Sequence, residues 1–171
     1  MKPFYVLLII ILCASCNICD KKDLHMVAKE LDIAREIIKN AKNCALITVD
    51  SEGNAYARTM DPFLPEKDFT IWMATNPKSI KIQEIIRNPK TTLYYFDAKS
   101  VSYVSLQGIA KLVNSKEEKE KYWKKEWEKF YQNRTTDYLL IKFTPKKGTI
   151  ISEKYEILGD SITWEAPYLN F

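Results

Sequence analysis

The chain has a single histidine, His25, and only four glycines among its 171 residues. A lone histidine near the start of the first predicted helix does not support a Ser-His-Asp triad or a histidine-rich metal cluster, so no metal site is expected. Four glycines leave no Gly-rich phosphate loop, and no dinucleotide fingerprint follows a strand. The four cysteines form neither a disulfide framework nor a zinc-ligand spacing. Charge of one sign is scarce as well. With 26 basic and 22 acidic residues the net charge is +4, too small and scattered an excess to point to nucleic acid. Paired carboxylates such as Glu117 and Glu118 fall in a charged helix and read as solvated surface. If the chain is an enzyme, a cofactor supplies the reactivity.

What is present is one domain's worth of ordinary folded sequence, with 46% hydrophobic residues and room for a sizeable core. Residues 1–16 read as a processing signal. A lysine precedes an apolar run too short to span a bilayer stably, the small residues Ala14 and Ser15 follow, and the stretch ends on Cys16. This resembles a bacterial lipoprotein signal, whose cysteine is lipidated and becomes the mature N-terminus; Cys13 stands where leucine is usual. An ordinary secretory signal or an uncleaved anchor is the alternative. The lipoprotein reading implies export and attachment to a bacterial membrane through Cys16. Residues 17–23 then form a tether containing Cys19, and Cys44, in an apolar run, is expected to be a buried free thiol.

Hydrophobic periodicity predicts a first amphipathic helix over 24–42, opening the domain 24–171. Strands follow at 44–49, 55–64 (interrupted near Asp61-Pro62), 68–74, 91–97, 101–113, 138–143 and 149–157. Gly53 marks a hairpin turn between the first two, and Gly108 marks a bulge. A helix over 115–131, capped by Ser115, carries Trp123, Trp127, Phe130 and Tyr131 at helical spacing. Beside a lipid anchor it could lie in a membrane interface. Its mixed charges favour packing against the domain instead. Strands outnumber helices and tight turns join most of them. The expected fold is mainly β with flanking helices (α+β), an antiparallel sheet closed into a small barrel.

The most informative stretch is Thr75-Asn76-Pro77-Lys78-Ser79-Ile80-Lys81. Asn76 suits an N-cap and Pro77 a first helical position, so a helix is expected from Asn76 to about Arg87, where Asn88-Pro89 stops it. Backbone N–H groups, the Ser79 hydroxyl and the Lys81 ammonium then meet where an anion is favoured.

Taken in order with Ala55-Tyr-Ala-Arg-Thr-Met60, Asn88-Pro-Lys-Thr-Thr-Leu-Tyr-Tyr-Phe96 and Val104-Ser-Leu-Gln-Gly-Ile-Ala110, this stretch resembles the pyridoxamine 5′-phosphate oxidase-like family, in its general-stress-protein branch. The resemblance covers nearly all of the chain after the tether. It implies a split β-barrel of the FMN-binding type that forms a homodimer with FMN at the subunit interface. It further implies that Arg58, Thr59 and Met60 line the flavin, while Thr75, Asn76, Ser79 and Lys81 hold its phosphate. Arg58 otherwise reads as a solvated strand residue, and Lys81 as a surface lysine paired with Glu84.

Several residues depart from the family pattern. Ile80 stands where many relatives carry a second basic residue, Tyr103 near a flavin-contacting glutamine, and Ile151 near a common tryptophan. The C-terminal arginine and histidine that grip substrate in true pyridoxamine phosphate oxidases have no counterpart, so vitamin B6 oxidation is not expected. Tyr103 and Trp164 are candidate ligand covers; for Trp164 a core or dimer-interface role is the alternative. The resulting expectation is an FMN-dependent oxidoreductase of unknown small-molecule substrate, with no catalytic side chain identified. The alternatives are a module that binds or senses flavin or another planar cofactor without turnover, and a cofactor-free structural domain.

Overall fold

The computed structural model describes residues 28–171. The signal 1–16 with Cys13 and Cys16, the tether with Cys19, His25 and the start of the first helix lie outside the described residues. Helix α1 occupies 28–41 and turns Ile33, Ala34, Ile37 and Ile38 into the core, the stripe expected of an amphipathic helix. It stops at Lys42, whose φ of 63° leaves the helical region.

Strands β1 (Cys44–Val49) and β2 (Ala55–Met60) form the predicted hairpin, with Cys44 opposite Met60. Gly53 takes φ of 90°, and the Asp50 carboxylate accepts from the backbone N–H groups of Glu52 and Asn54 at 2.8 and 2.9 Å. Then come β3 (Ile71–Thr75), α2 (Ile80–Arg87), β4 (Lys90–Asp97), β5 (Ser102–Val113), α3 (Lys116–Lys121), a 3₁₀ turn (Lys125–Lys129), β6 (Leu139–Ile151) and β7 (Tyr168–Asn170). All strand pairs are antiparallel, in the order β2-β1-β4-β5-β6-β3, with β7 also on β6. Just past β2, Pro62 bridges Met73 of β3, and the Phe63 N–H donates to the Trp72 carbonyl at 2.8 Å. That bridge brings the two ends of the sheet together as a barrel, with the helices outside. The expected fold class, mainly β with flanking helices, is the one observed.

The barrel interior is apolar and fully covered: Leu46, Met73, Leu93, Leu106, Ile141 and Phe143 are completely buried, and α1 caps the same cluster. Cys44 is a buried free thiol, as expected. A second cluster lies on the outer face of β3, where Trp72 and Ala74 pack against Tyr122, Trp127, Tyr138 and Leu140.

Four expectations need correction. The two strands predicted at 138–143 and 149–157 are one strand, β6, running through Pro145 and ending at Ile151. Proline is tolerated there because the β5 register shifts between Gln107 and Gly108, so no ladder donor is required. A Cβ on Gly108 would lie 2.2 Å from the Thr144 carbonyl oxygen, which is why only glycine fits the bulge. The strand predicted at 55–64 ends at Met60, and β3 begins at Ile71 rather than Asp68. The helix predicted over 115–131 starts at its Ser115 cap, which accepts from the Glu118 N–H at 3.3 Å, but ends at Lys121. Tyr122 stacks on Trp72 with centroids 4.2 Å apart, while Trp127 meets Phe63 edge-on at 5.6 Å. On a straight helix these two rings would point about 140° apart, so the chain breaks and resumes as a 3₁₀ turn to bury both. Phe130, placed with them by spacing, is 67% exposed. Finally, β7 has no counterpart in the expected elements.

Candidate functional site

The turn after β3 differs from its sequence reading. Asn76 does not cap α2: its side-chain oxygen accepts from the Lys78 N–H at 2.8 Å and its carbonyl from the Ser79 N–H at 3.0 Å. Such a local side-chain turn competes with helix, and α2 begins three residues later with Ser79 at the N-cap position. The Ser79 hydroxyl makes no cap and lies 3.2 Å from the Thr75 hydroxyl. Lys81 Nζ donates to the same Thr75 Oγ1 at 3.0 Å. Burial, with the nearby Arg58 charge, lowers the pKa of Lys81, and Glu84 opposes the shift. Ile80 points outward and is 75% exposed.

Beside this turn lies a cavity of about 470 Å³, within the range of small-molecule sites. Thr59, Met60 and Asp61 line it from the end of β2, and Ala74, Thr75, Asn76 and Lys81 from β3 and the following turn and helix. The opposite wall is Glu126, Trp127, Lys129, Phe130 and Tyr131. Asp61 accepts from Lys124 Nζ at 2.5 Å and from Trp127 Nε1 at 2.8 Å, tying the two walls together. The cavity combines a cationic, hydroxyl-rich end with an aromatic side. That chemistry suits a planar ligand bearing an anionic group.

Of the residues singled out in the sequence, Thr59, Met60, Thr75, Asn76 and Lys81 converge on this cavity. Ser79 sits behind it against Thr75. Arg58 does not line it; its guanidinium donates to Glu84 and to Thr48 Oγ1. Glu84 therefore pairs with Arg58, and the alternative partner for Lys81 is replaced by Thr75. Tyr103 lies on the outer sheet face, opposite Ile151 and 5.5 Å from the Tyr94 ring. Trp164 is 86% exposed, in the loop before β7. Asp61, Ala74 and the wall from Glu126 to Tyr131 were not anticipated. The aromatic spacing of that wall was visible, but the break at Tyr122 that turns it towards the cavity was not. Among the described residues no group of three His, Cys, Asp or Glu side chains could hold a metal ion.

Residues 29–158 match the family described as pyridoxamine 5′-phosphate oxidase like. Among solved structures, the chain is similar to general stress protein 26 from Bacillus anthracis str. Sterne, at 22% identity over 86% of this chain and 99% of that one, with a TM-score of 0.65. It is also similar to a protein related to general stress protein 26 from Clostridium acetobutylicum, at 21% identity over 73% and 89% of the two chains and a TM-score of 0.66. A third, from Nostoc punctiforme PCC 73102, is described as a pyridoxamine 5′-phosphate oxidase-related, FMN binding protein. It is 13% identical over 86% and 95% of the chains, with a TM-score of 0.57. At these identities the structures speak for the fold alone. A search of curated proteins found no match. With the family match spanning most of the chain and a barrel to go with it, the protein belongs to the pyridoxamine 5′-phosphate oxidase-like family.

Proposed function

We propose that this chain binds FMN non-covalently in the cavity beside the Thr75–Lys81 turn and acts as an FMN-dependent oxidoreductase on a small molecule. The observation that carries the reading is the meeting of Lys81, Thr75 and Asn76 with an aromatic wall in one 470 Å³ cavity. The donor set fits the group. Lys81 and the Thr75 hydroxyl suit a phosphate, Thr59 and Met60 offer backbone at the flavin, and Trp127 and Tyr131 keep water from its side. A relative described as FMN binding supports the same reading. FMN, when bound, supplies the redox chemistry; the protein's residues position it and exclude solvent. No side chain in the cavity stands out as a proton donor or acceptor for a reacting substrate.

The same reading includes a homodimer. The outer sheet face carries Tyr94, Phe96 and Tyr168, at 36%, 48% and 53% exposure, beside Tyr103 and Ile151. An apolar aromatic face of this kind suits a second copy, which would bring Tyr103 and Trp164 towards the ligand. Lipidation at Cys16, with attachment to the outer side of a bacterial membrane, completes the proposal. Its support is the sequence of residues 1–16.

The purified protein is expected to be yellow and to release FMN on denaturation. A colourless protein that takes up no added FMN would refute the reading. Lys81→Ala should weaken FMN binding more than Lys78→Ala, since of these two lysines only Lys81 lines the cavity. Labelling with radioactive palmitate should disappear in Cys16→Ala, and sedimentation should give a dimer. A second reading, flavin binding without turnover, is favoured by one observation: Arg58, the guanidinium expected at the flavin, is engaged by Glu84.

A further inference from the structure

The helix that begins the anion grip supplies one cation to the cavity, Lys81. Position 80 is isoleucine, and its side chain stands 75% exposed, turned away from the cavity. Lys81 is half-buried there and already donates to Thr75 Oγ1. A phosphate monoester carries close to two negative charges at neutral pH, about −1.5 to −2. One lysine leaves up to half of that charge unmatched.

A second lysine enters the same cavity from a different element. Lys129, the last residue of the 3₁₀ turn, lines it together with Lys81. Its neighbour Phe130 also lines an adjoining hollow with Asn76, Pro77 and Lys78, so this end of the turn abuts the loop that leads into α2. Lys129 makes no ion pair among the described residues; its ammonium rests 4.8 Å over the Phe130 ring. Two carboxylates share the cavity. Asp61 is matched by Lys124 and Trp127, which leaves Glu126, exposed on the same turn, as the other acidic group lining the cavity with Lys129.

We propose that Lys129 is the second cation of the phosphate grip, meeting Lys81 across the cavity and making the site selective for a phosphorylated flavin over its dephosphorylated form. The inference rests on the FMN reading and adds to it a residue and a specificity. The aromatic wall and the grip then come from one segment: the break after Tyr122 that buries Trp127 also delivers Lys129.

Fluorescence titration of the full chain with FMN and with riboflavin tests this. Wild type should prefer FMN. Lys129→Ala should weaken FMN binding about tenfold, the scale of a lost charge-assisted contact, and leave riboflavin binding unchanged. Lys129→Arg should retain the preference and Lys129→Glu should abolish it. Lys125→Ala, which removes an exposed lysine of the same turn outside the cavity, should behave as wild type. Both lysines are exposed, so the variants should fold, and circular dichroism checks that they do. Equal effects of Lys129→Ala and Lys125→Ala on FMN would overturn the proposal and leave the FMN reading standing. So would parallel losses for FMN and riboflavin, which would assign Lys129 to the wall. If wild type binds neither flavin, both fall.

Discussion

Both carboxylate oxygens of Glu84, buried on α2, accept from one guanidinium nitrogen of Arg58, at 2.9 and 2.7 Å, while the Thr48 hydroxyl donates to Glu84 at 2.6 Å. The triad pins α2 to β1 and β2. Glu84 is 3% exposed, so removal of its cation strands a buried charge. Arg58→Ala should cost about 3 kcal/mol in urea denaturation, as for other broken buried pairs. Its effect on FMN affinity should be smaller than that of Lys81→Ala. A variant of unchanged stability would mean that the pair does not hold the helix.

Much of the fold could be read from the sequence because hydrophobic alternation survives wherever a strand is half-buried. The 44–49 strand and the hairpin at Gly53 are of this kind, and so is the Gly108 bulge. Errors arose where long-range contacts decide. Pro145 looks like a strand breaker until β5 supplies the compensating bulge. Residues 115–131 have unbroken helical spacing, yet Tyr122 and Trp127 both need the face of β3, and a straight helix cannot give it to them. In the site, Thr75 and Lys81 were legible because they share one turn. The Arg58–Glu84 pair was not legible because the partners lie 26 residues apart, and no local pattern announces a buried pair.

Gly108→Ala offers a strong test of the bulge. The added methyl would meet the Thr144 carbonyl at 2.2 Å and Phe143 Cζ at 2.8 Å. Backbone cannot yield as a flexible side chain would. A loss of about 3 kcal/mol, the upper end of overpacking costs, is expected in thermal or urea unfolding. Gly53→Ala, at an open turn with nothing within 4 Å, should lose less and only through its φ of 90°.

Trp127 links packing to the cavity. It is 5% exposed, sits in the outer cluster, and donates to Asp61. Trp127→Ala should cost about 3–5 kcal/mol. Trp127→Phe keeps most of the volume and loses the hydrogen bond, so about 1 kcal/mol is expected, because Asp61 is half-exposed and also held by Lys124. Similar losses from both substitutions would assign the stability to the hydrogen bond.

Cys44 should shape the alkaline limb of stability. Burial pushes its thiol from an ordinary 9.0 up to about 12. Below pH 9 folded and unfolded chains both hold the proton, and the contribution is complete. Between about 9 and 12 only the unfolded chain releases it, so stability falls as pH rises, by about 1.4 kcal/mol per unit from this group. The buried Tyr95 hydroxyl, raised well above its usual value by burial, acts in the same direction at higher pH. Unfolding of wild type and Cys44→Ala across pH 8 to about 11 should show a shallower decline in the variant. Parallel curves would contradict the assignment.

The barrel's two sheet ends meet at Pro62 and Met73, and the cavity spans the same junction, with Thr59 to Asp61 on one border and Ala74 and Thr75 on the other. A molecule lodged there touches both borders at once and acts as a rivet across the seam. Occupancy would then be read one step beyond the lining residues, in the amide exchange of Phe63, whose hydrogen bond to Trp72 crosses that seam.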